Sequence, residues 1–196
     1  DVAGDDLERW QRTLTESLQL LQELWPEMES EITTAIHTVV PVNSPVGGMN
    51  CSCSSEDFWG AILCSYDPPP LLAEVLVHEF GHNLLYGLME VYGIFAEDCP
   101  KEPIYYSPWR PDARPLVGVL HAVYTFERVA EFYRRLLQKD SSNVAYRERY
   151  SFILGRLERG LRVLAESAKF NAEGTVFFES LVRGVQRQRE SGEAIA

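Results

Sequence analysis

His78, Glu79 and His82 stand together in the segment His78-Glu79-Phe80-Gly81-His82. Four residues of a helix make slightly more than one turn, so both imidazoles lie on one face, where two nitrogens can meet a single ion. Glu79 is rotated away from that face, so it can approach a metal-bound water or ligand better than the metal itself. This HExxH spacing supports divalent-metal chemistry, including a zinc-activated water with Glu79 as its general base. The alternative is a pair of core histidines satisfied by hydrogen bonds, because buried ring nitrogens need partners.

A mononuclear site needs a third protein ligand. The chain has four histidines, which leaves His37, His121 or a carboxylate. The extended form HExxHxxGxxH would need glycine and histidine where the sequence has Leu85 and Leu88, which excludes it. A second peptidase form takes a glutamate from a later helix, and Glu127 and Glu131 are placed to supply one. His121 lies in Val119-Leu120-His121-Ala122, inside the next long helix, whose expected packing against the metal helix favours it as a ligand over a structural histidine facing a helix partner. His37 precedes a strand and has no comparable argument.

The elements that must position these groups are legible in the apolar periodicity. Leu7, Trp10, Leu14, Leu18 and Leu21 repeat at helical spacing, predicting an amphipathic helix over 5–24 that stops at Trp25-Pro26. A short helix follows over Glu27–Ala35, then a β-branched strand over His37–Val42. Asn43–Ser55 reads as a loop and Phe58–Tyr66 as a second strand, ended by Asp67-Pro68-Pro69-Pro70. The metal helix is expected over Leu71–Tyr92, closed by Gly93. A loop rich in Pro, Tyr and Trp spans Asp98–Pro115 before a long helix over Leu116–Leu137. Two more helices are expected over 142–168 and 173–189, with a frayed polar tail after Gln188. The fold expected is mainly α with a small β-sheet, the HExxH helix packed against the long helix that follows it.

The 196 residues suit a single catalytic domain over 1–196, and 45% apolar with 24% charged residues is ordinary for a globular chain. The formal charge of −11 argues against nucleic acid, whose phosphates demand clustered Lys and Arg. No apolar run approaches the roughly 18 residues of a membrane span, so no membrane partner is expected. Cys51, Cys53, Cys64 and Cys99 match no common zinc module, and with no signal peptide they are expected to be reduced thiols in a cytoplasmic protein. The chain starts Asp1-Val2-Ala3-Gly4 without an initiator Met, as either a domain cut from a longer fusion or a chain with a trimmed tag would.

The segment LLAEVLVHEFGHNLLYGLMEVYG, followed by YYSPWRPDARPLVGVLHAVYTFERVAEFYRRL, resembles the HExxH-motif domain of peptide-modifying enzymes. These domains occur alone or fused behind a radical SAM enzyme in ribosomal peptide natural-product clusters. The resemblance covers Asp67 to Leu137 and extends loosely back to Val39 and through the C-terminal helices; WRPDARP followed by LHAVYTF is far more specific than HExxH alone. It implies an iron(II) and 2-oxoglutarate-dependent oxygenase on a fold other than the jelly-roll. The implied reaction is β-hydroxylation of a residue in a precursor peptide, including one cyclised beforehand by a radical SAM partner. Carried onto this chain, it makes His78, His82 and His121 the iron ligands, a departure from the usual two histidines and a carboxylate.

2-Oxoglutarate would chelate iron through its 1-carboxylate and keto oxygen, leaving its 5-carboxylate for a guanidinium fork. Arg110 and Arg114 are the candidates, a surface ion pair being the other fate open to each. Tyr105, Tyr106 and Trp109 could line the pocket or simply pack, and Ser54 and Ser55 could add hydroxyl contacts. The competing functions are a zinc peptidase, with Glu79 as base, and a catalytically inactive peptide-binding module.

Overall fold

The computed structural model describes residues 4–43 and 51–195, with side chains over 6–43 and 51–192. It is mainly helical with little sheet, as expected: six α-helices, a three-stranded sheet and a two-stranded hairpin among the described residues. The chain divides into two compact units, 1–83 and 84–196, and the division falls inside the helix that carries the HEFGH segment. No helix among the described residues is long and apolar enough to cross a membrane.

The first unit opens with α1 (Gly4–Leu24) and α2 (Pro26–Ala35). The break between them is local chemistry: Pro26 cannot donate to the helix before it but suits the first turn of the next. Strand β1 (Thr38–Pro41) pairs in parallel with β3 (Ala61–Cys64), and β2 (Ser52–Cys53) adds to the other edge of β3 antiparallel, giving the order β1-β3-β2. β3 is therefore central, which explains its buried Ile62 and Cys64. The strand expected over Phe58–Tyr66 is shorter than predicted, because Glu56–Phe58 forms a 3-10 turn ahead of it. Likewise the loop expected over Asn43–Ser55 contributes β2, while 44–50 lie outside the described residues.

Helix α3 (Pro69–Tyr92) follows, starting two residues earlier than predicted because prolines are tolerated in a first turn. Its first half buries Leu72, Leu76 and Phe80 along one row and Ala73 and Val77 along the next. Burying each large side chain contributes about 1.5–3 kcal/mol, which holds the helix in a fixed rotation. At 100° per residue, His78 and His82 then lie nearly opposite the Leu76–Phe80 row, and both are half-buried. The Ser17 hydroxyl donates to the Pro69 carbonyl at 3.1 Å, tying α1 to the start of α3. Gly93 ends the helix as predicted, at φ 71° with its N–H on the Met89 carbonyl.

In the second unit, the expected loop over Asp98–Pro115 folds in part into a hairpin of β4 (Tyr105–Ser107) and β5 (Arg110–Arg114). Pro111 obscured this in the sequence, but proline is compatible with a strand that has a free edge. Helices α4 (Leu116–Lys139), α5 (Val144–Ser167) and α6 (Ala172–Ile195) complete the unit. Asn143 caps α5 by accepting from the Tyr146 N–H.

Glu131 of α4, Tyr150 of α5 and Gln188 of α6 meet in one network. The Gln188 amide donates to Glu131 at 2.7 Å, and the Tyr150 hydroxyl donates to the Gln188 backbone carbonyl at 2.5 Å. This anchor explains a correction. The segment read as a frayed polar tail after Gln188 continues as helix to Ile195, with Gly192 close against the ring of Tyr150 just beyond the tethered Gln188.

Candidate metal centre

The first unit brings His78, Glu79 and His82 together as the spacing required. The Nε2 atoms of His78 and His82 lie 3.2 Å apart, with the ring planes 82° from parallel. Two imidazole nitrogens bound about 2.1 Å from one ion are separated by about 3.0 Å at adjacent octahedral positions and about 3.4 Å at tetrahedral ones. The observed separation falls between them. It is also the approach of an N–H···N hydrogen bond, with one ring donating and the other accepting. Burial, reinforced by the neighbouring His78, pulls the His82 pKa down to about 4, against the opposing charge of Glu79. A neutral imidazole keeps the lone pair that a metal needs. These two nitrogens are therefore spaced as two ligands of one cation would be, and they supply two of the three or more protein donors such an ion needs.

Glu79 is buried, at 3% exposure, and its Oε2 accepts a hydrogen bond of 2.7 Å from the Ser54 hydroxyl. Ser54 thus contacts the HExxH carboxylate, a role the sequence reading did not assign to it. Asn83, one turn beyond Glu79 and 2% exposed, was missed altogether. Its amide donates to the Glu79 carbonyl at 3.1 Å, and its Oδ1 accepts from the Gly60 N–H at 2.9 Å. The available signal was the spacing of four between Glu79 and Asn83, which repeats the spacing of the two histidines.

Cys64 is fully buried on β3; burial, with the charges of Glu79 and Asp67 adding, pushes its pKa up to about 12. That thiol stays protonated, which disfavours it as a metal ligand. All four cysteines are free, and Cys53 is exposed. His37 is exposed at the start of β1, where its backbone N–H donates to the Gly60 carbonyl.

The remaining candidates belong to the second unit. His121 is buried on α4, with Tyr86 of α3 against its ring at 4.6 Å between centroids. Among the described residues, no group of three or more His, Cys, Asp or Glu gathers as a metal site. Glu131 is engaged by three partners. Burial pushes its pKa up, but hydrogen bonds from Arg134, Gln188 and Arg135 outweigh this and leave it below the usual carboxylate value. Arg134 forks onto both oxygens at 2.7 and 2.6 Å. Glu127 is pushed upward by burial and lies against Gly184 of α6, where an added Cβ would come within 2.8 Å of its Oε1.

Arg110 and Arg114 project from β5 on the same face, two residues either side of Asp112, as strand alternation requires. Arg110 Nε donates to Asp112 Oδ1 at 3.1 Å and an Arg114 terminal nitrogen to Oδ2 at 3.2 Å. The Arg110 hydrogen bond, foremost, holds the Asp112 carboxyl below its ordinary pKa. Both guanidinium groups are thus committed to an exposed ion pair, the alternative open to them in the sequence. Trp109 stacks on Phe126 at 4.8 Å, so packing accounts for it, while Tyr106 is exposed on β4.

The chain matches no known protein family and no curated protein. Function therefore rests on the helix face itself: two convergent imidazoles, one of them held neutral, beside a buried and tethered carboxylate.

Proposed function

We propose that the chain is an iron(II)- and 2-oxoglutarate-dependent oxygenase that β-hydroxylates a residue of a ribosomally synthesised precursor peptide. The observation that carries the metal is the 3.2 Å approach of His78 Nε2 and His82 Nε2 on a half-buried helix face. The oxygenase chemistry comes from the resemblance of the Asp67–Leu137 segment, with a radical SAM enzyme as fused or associated partner. In this reading His78 and His82 hold the metal and His121 is the third ligand. The engagement of Glu131 by Arg134, Arg135 and Gln188 supports the choice of histidine over that glutamate. Bound iron(II) with 2-oxoglutarate would supply the activation of O2 for oxidising a C–H bond.

Glu79, held by Ser54, orients a ligand or bound water beside the imidazoles. Arg110 and Arg114 remain the candidates for the 5-carboxylate of 2-oxoglutarate, which would compete with Asp112 for their donors. A second reading, a zinc peptidase with Glu79 as general base, is favoured by the carboxylate standing next to the histidine pair. Anaerobic addition of Fe(II) and 2-oxoglutarate separates the two. The oxygenase gives a visible charge-transfer band and, with O2, succinate; the peptidase gives neither and cleaves peptide with zinc.

A further inference from the structure

Residues 54–60, Ser-Ser-Glu-Asp-Phe-Trp-Gly, form a short knuckle laid along one turn of α3. Three hydrogen bonds fasten it: the Ser54 hydroxyl to Glu79 Oε2, the Trp59 indole N–H to the Asn83 carbonyl at 3.0 Å, and the Gly60 N–H to Asn83 Oδ1. Gly60 adopts φ 81°, a conformation that disfavours any side chain, and a Cβ there would meet the Ala35 carbonyl at 3.1 Å. Glu79 and Asn83 form the helix row 100° around from His78 and His82. The knuckle therefore makes a wall directly beside the imidazole face.

That wall presents aromatic surface to solvent. Trp59 is 71% exposed although its indole N–H is tethered, and Phe58 is 68% exposed. A tethered indole cannot fold back to hide its ring, so the apolar face is held out at a hydration cost that a binding partner would remove. Glu56 and Asp57, immediately before these rings, are exposed and form no ion pair among the described residues. Exposed rings that follow two exposed carboxylates directly in a short turn suit a cation carried on an apolar stem.

We infer that the 54–60 knuckle grips a Lys or Arg side chain of the peptide substrate, a few residues from the one presented to the imidazoles. The cation stacks on Trp59 while Glu56 and Asp57 neutralise it. This rests on the reading of the α3 site as one that acts on peptides, and deepens it by naming a recognition element.

The test uses the metal-free 196-residue chain, so it is independent of iron and turnover. Fluorescein-labelled capped peptides, identical except for one Arg, its neutral isostere citrulline, or Phe, are titrated by anisotropy. The Arg peptide should bind about three- to tenfold more tightly than the citrulline peptide, with affinity falling as salt rises. Trp59→Ala should remove that preference. Trp59→Phe, which keeps a ring but loses the N–H, should retain part of it, and Glu56→Gln with Asp57→Asn should reduce both the Arg preference and its fall with salt. Circular dichroism melts verify that each variant folds. Equal binding of Arg and citrulline peptides, tighter binding of the Phe peptide, an unaffected Trp59→Ala protein, or no binding at all would each overturn the proposal. Failure of the charge-transfer band with the Arg preference intact would instead remove the oxygenase reading and leave this one standing.

Discussion

Ser54 donates a 2.7 Å hydrogen bond to Glu79, so the HExxH carboxylate is tethered to the edge of the sheet as well as buried. In a peptidase, loss of the general base at Glu79→Gln would cost about 10² to 10⁴ in rate. In the oxygenase, Glu79 only orients its neighbours, and the loss should be about 10- to 100-fold with iron retained. Ser54→Ala should fall between wild type and Glu79→Gln in succinate formation. Peptide cleavage that vanishes in Glu79→Gln, with no succinate from either protein, would overturn the oxygenase assignment.

His78→Ala and His82→Ala should each lose bound metal while keeping the helical circular dichroism spectrum. A helix rotation set by Leu72, Leu76 and Phe80 cannot bring another donor onto that face. Stoichiometric metal in both variants, by elemental analysis, would remove the site.

The third ligand has its own comparison. His121→Ala should lose iron as completely as His82→Ala, whereas Glu127→Gln and Glu131→Gln should keep it. Glu131→Gln should nonetheless melt earlier, by about 1–2 kcal/mol, since Arg134, Arg135 and Gln188 lose a charged acceptor that is only partly screened by solvent. Iron lost in a glutamate variant but held in His121→Ala would restore the peptidase-like arrangement.

The depressed pKa of His82 makes the metal-free protein acid-sensitive in a defined window. The unfolded chain takes up a proton near the ordinary value of about 6.5, while the folded imidazole stays neutral until about 4. Stability is therefore fully present above about 6.5 and declines as pH falls toward 4. Glu127, pushed upward by burial, acts in the opposite sense, so the wild type must be compared with His82→Gln. Thermal melts between pH 6.5 and 4.5 should show a shallower decline in the variant. Parallel curves would contradict the assignment.

Gly174 at the start of α6 sits where an added Cβ would collide with the Ile94 backbone carbonyl. Ile94 is itself held at φ 51°, and its carbonyl accepts from the Asn171 N–H at 3.0 Å. Gly174→Ala should destabilise by about 2–4 kcal/mol, read as a fall in Tm, because backbone rather than a flexible side chain must move. A melt unchanged from wild type would show that this junction yields freely.

Much of this protein was determined by local sequence. Apolar spacing set the helices, Pro26 set the break between α1 and α2, Gly93 set the end of α3, and a separation of four put His78 and His82 on one face. These are properties of a few turns of chain, and periodicity reports them directly. The hairpin at Tyr105–Arg114, the short β2 and the helical continuation past Gln188 were hidden, because each depends on partners remote in sequence. The same holds at the site. Only tertiary structure decided that Ser54 would hold Glu79, that Asn83 would fasten the knuckle, and that Arg110 and Arg114 would share Asp112. Spacing determines which residues share a face, but the partner a polar atom finds is settled by which surfaces the buried apolar rows bring together.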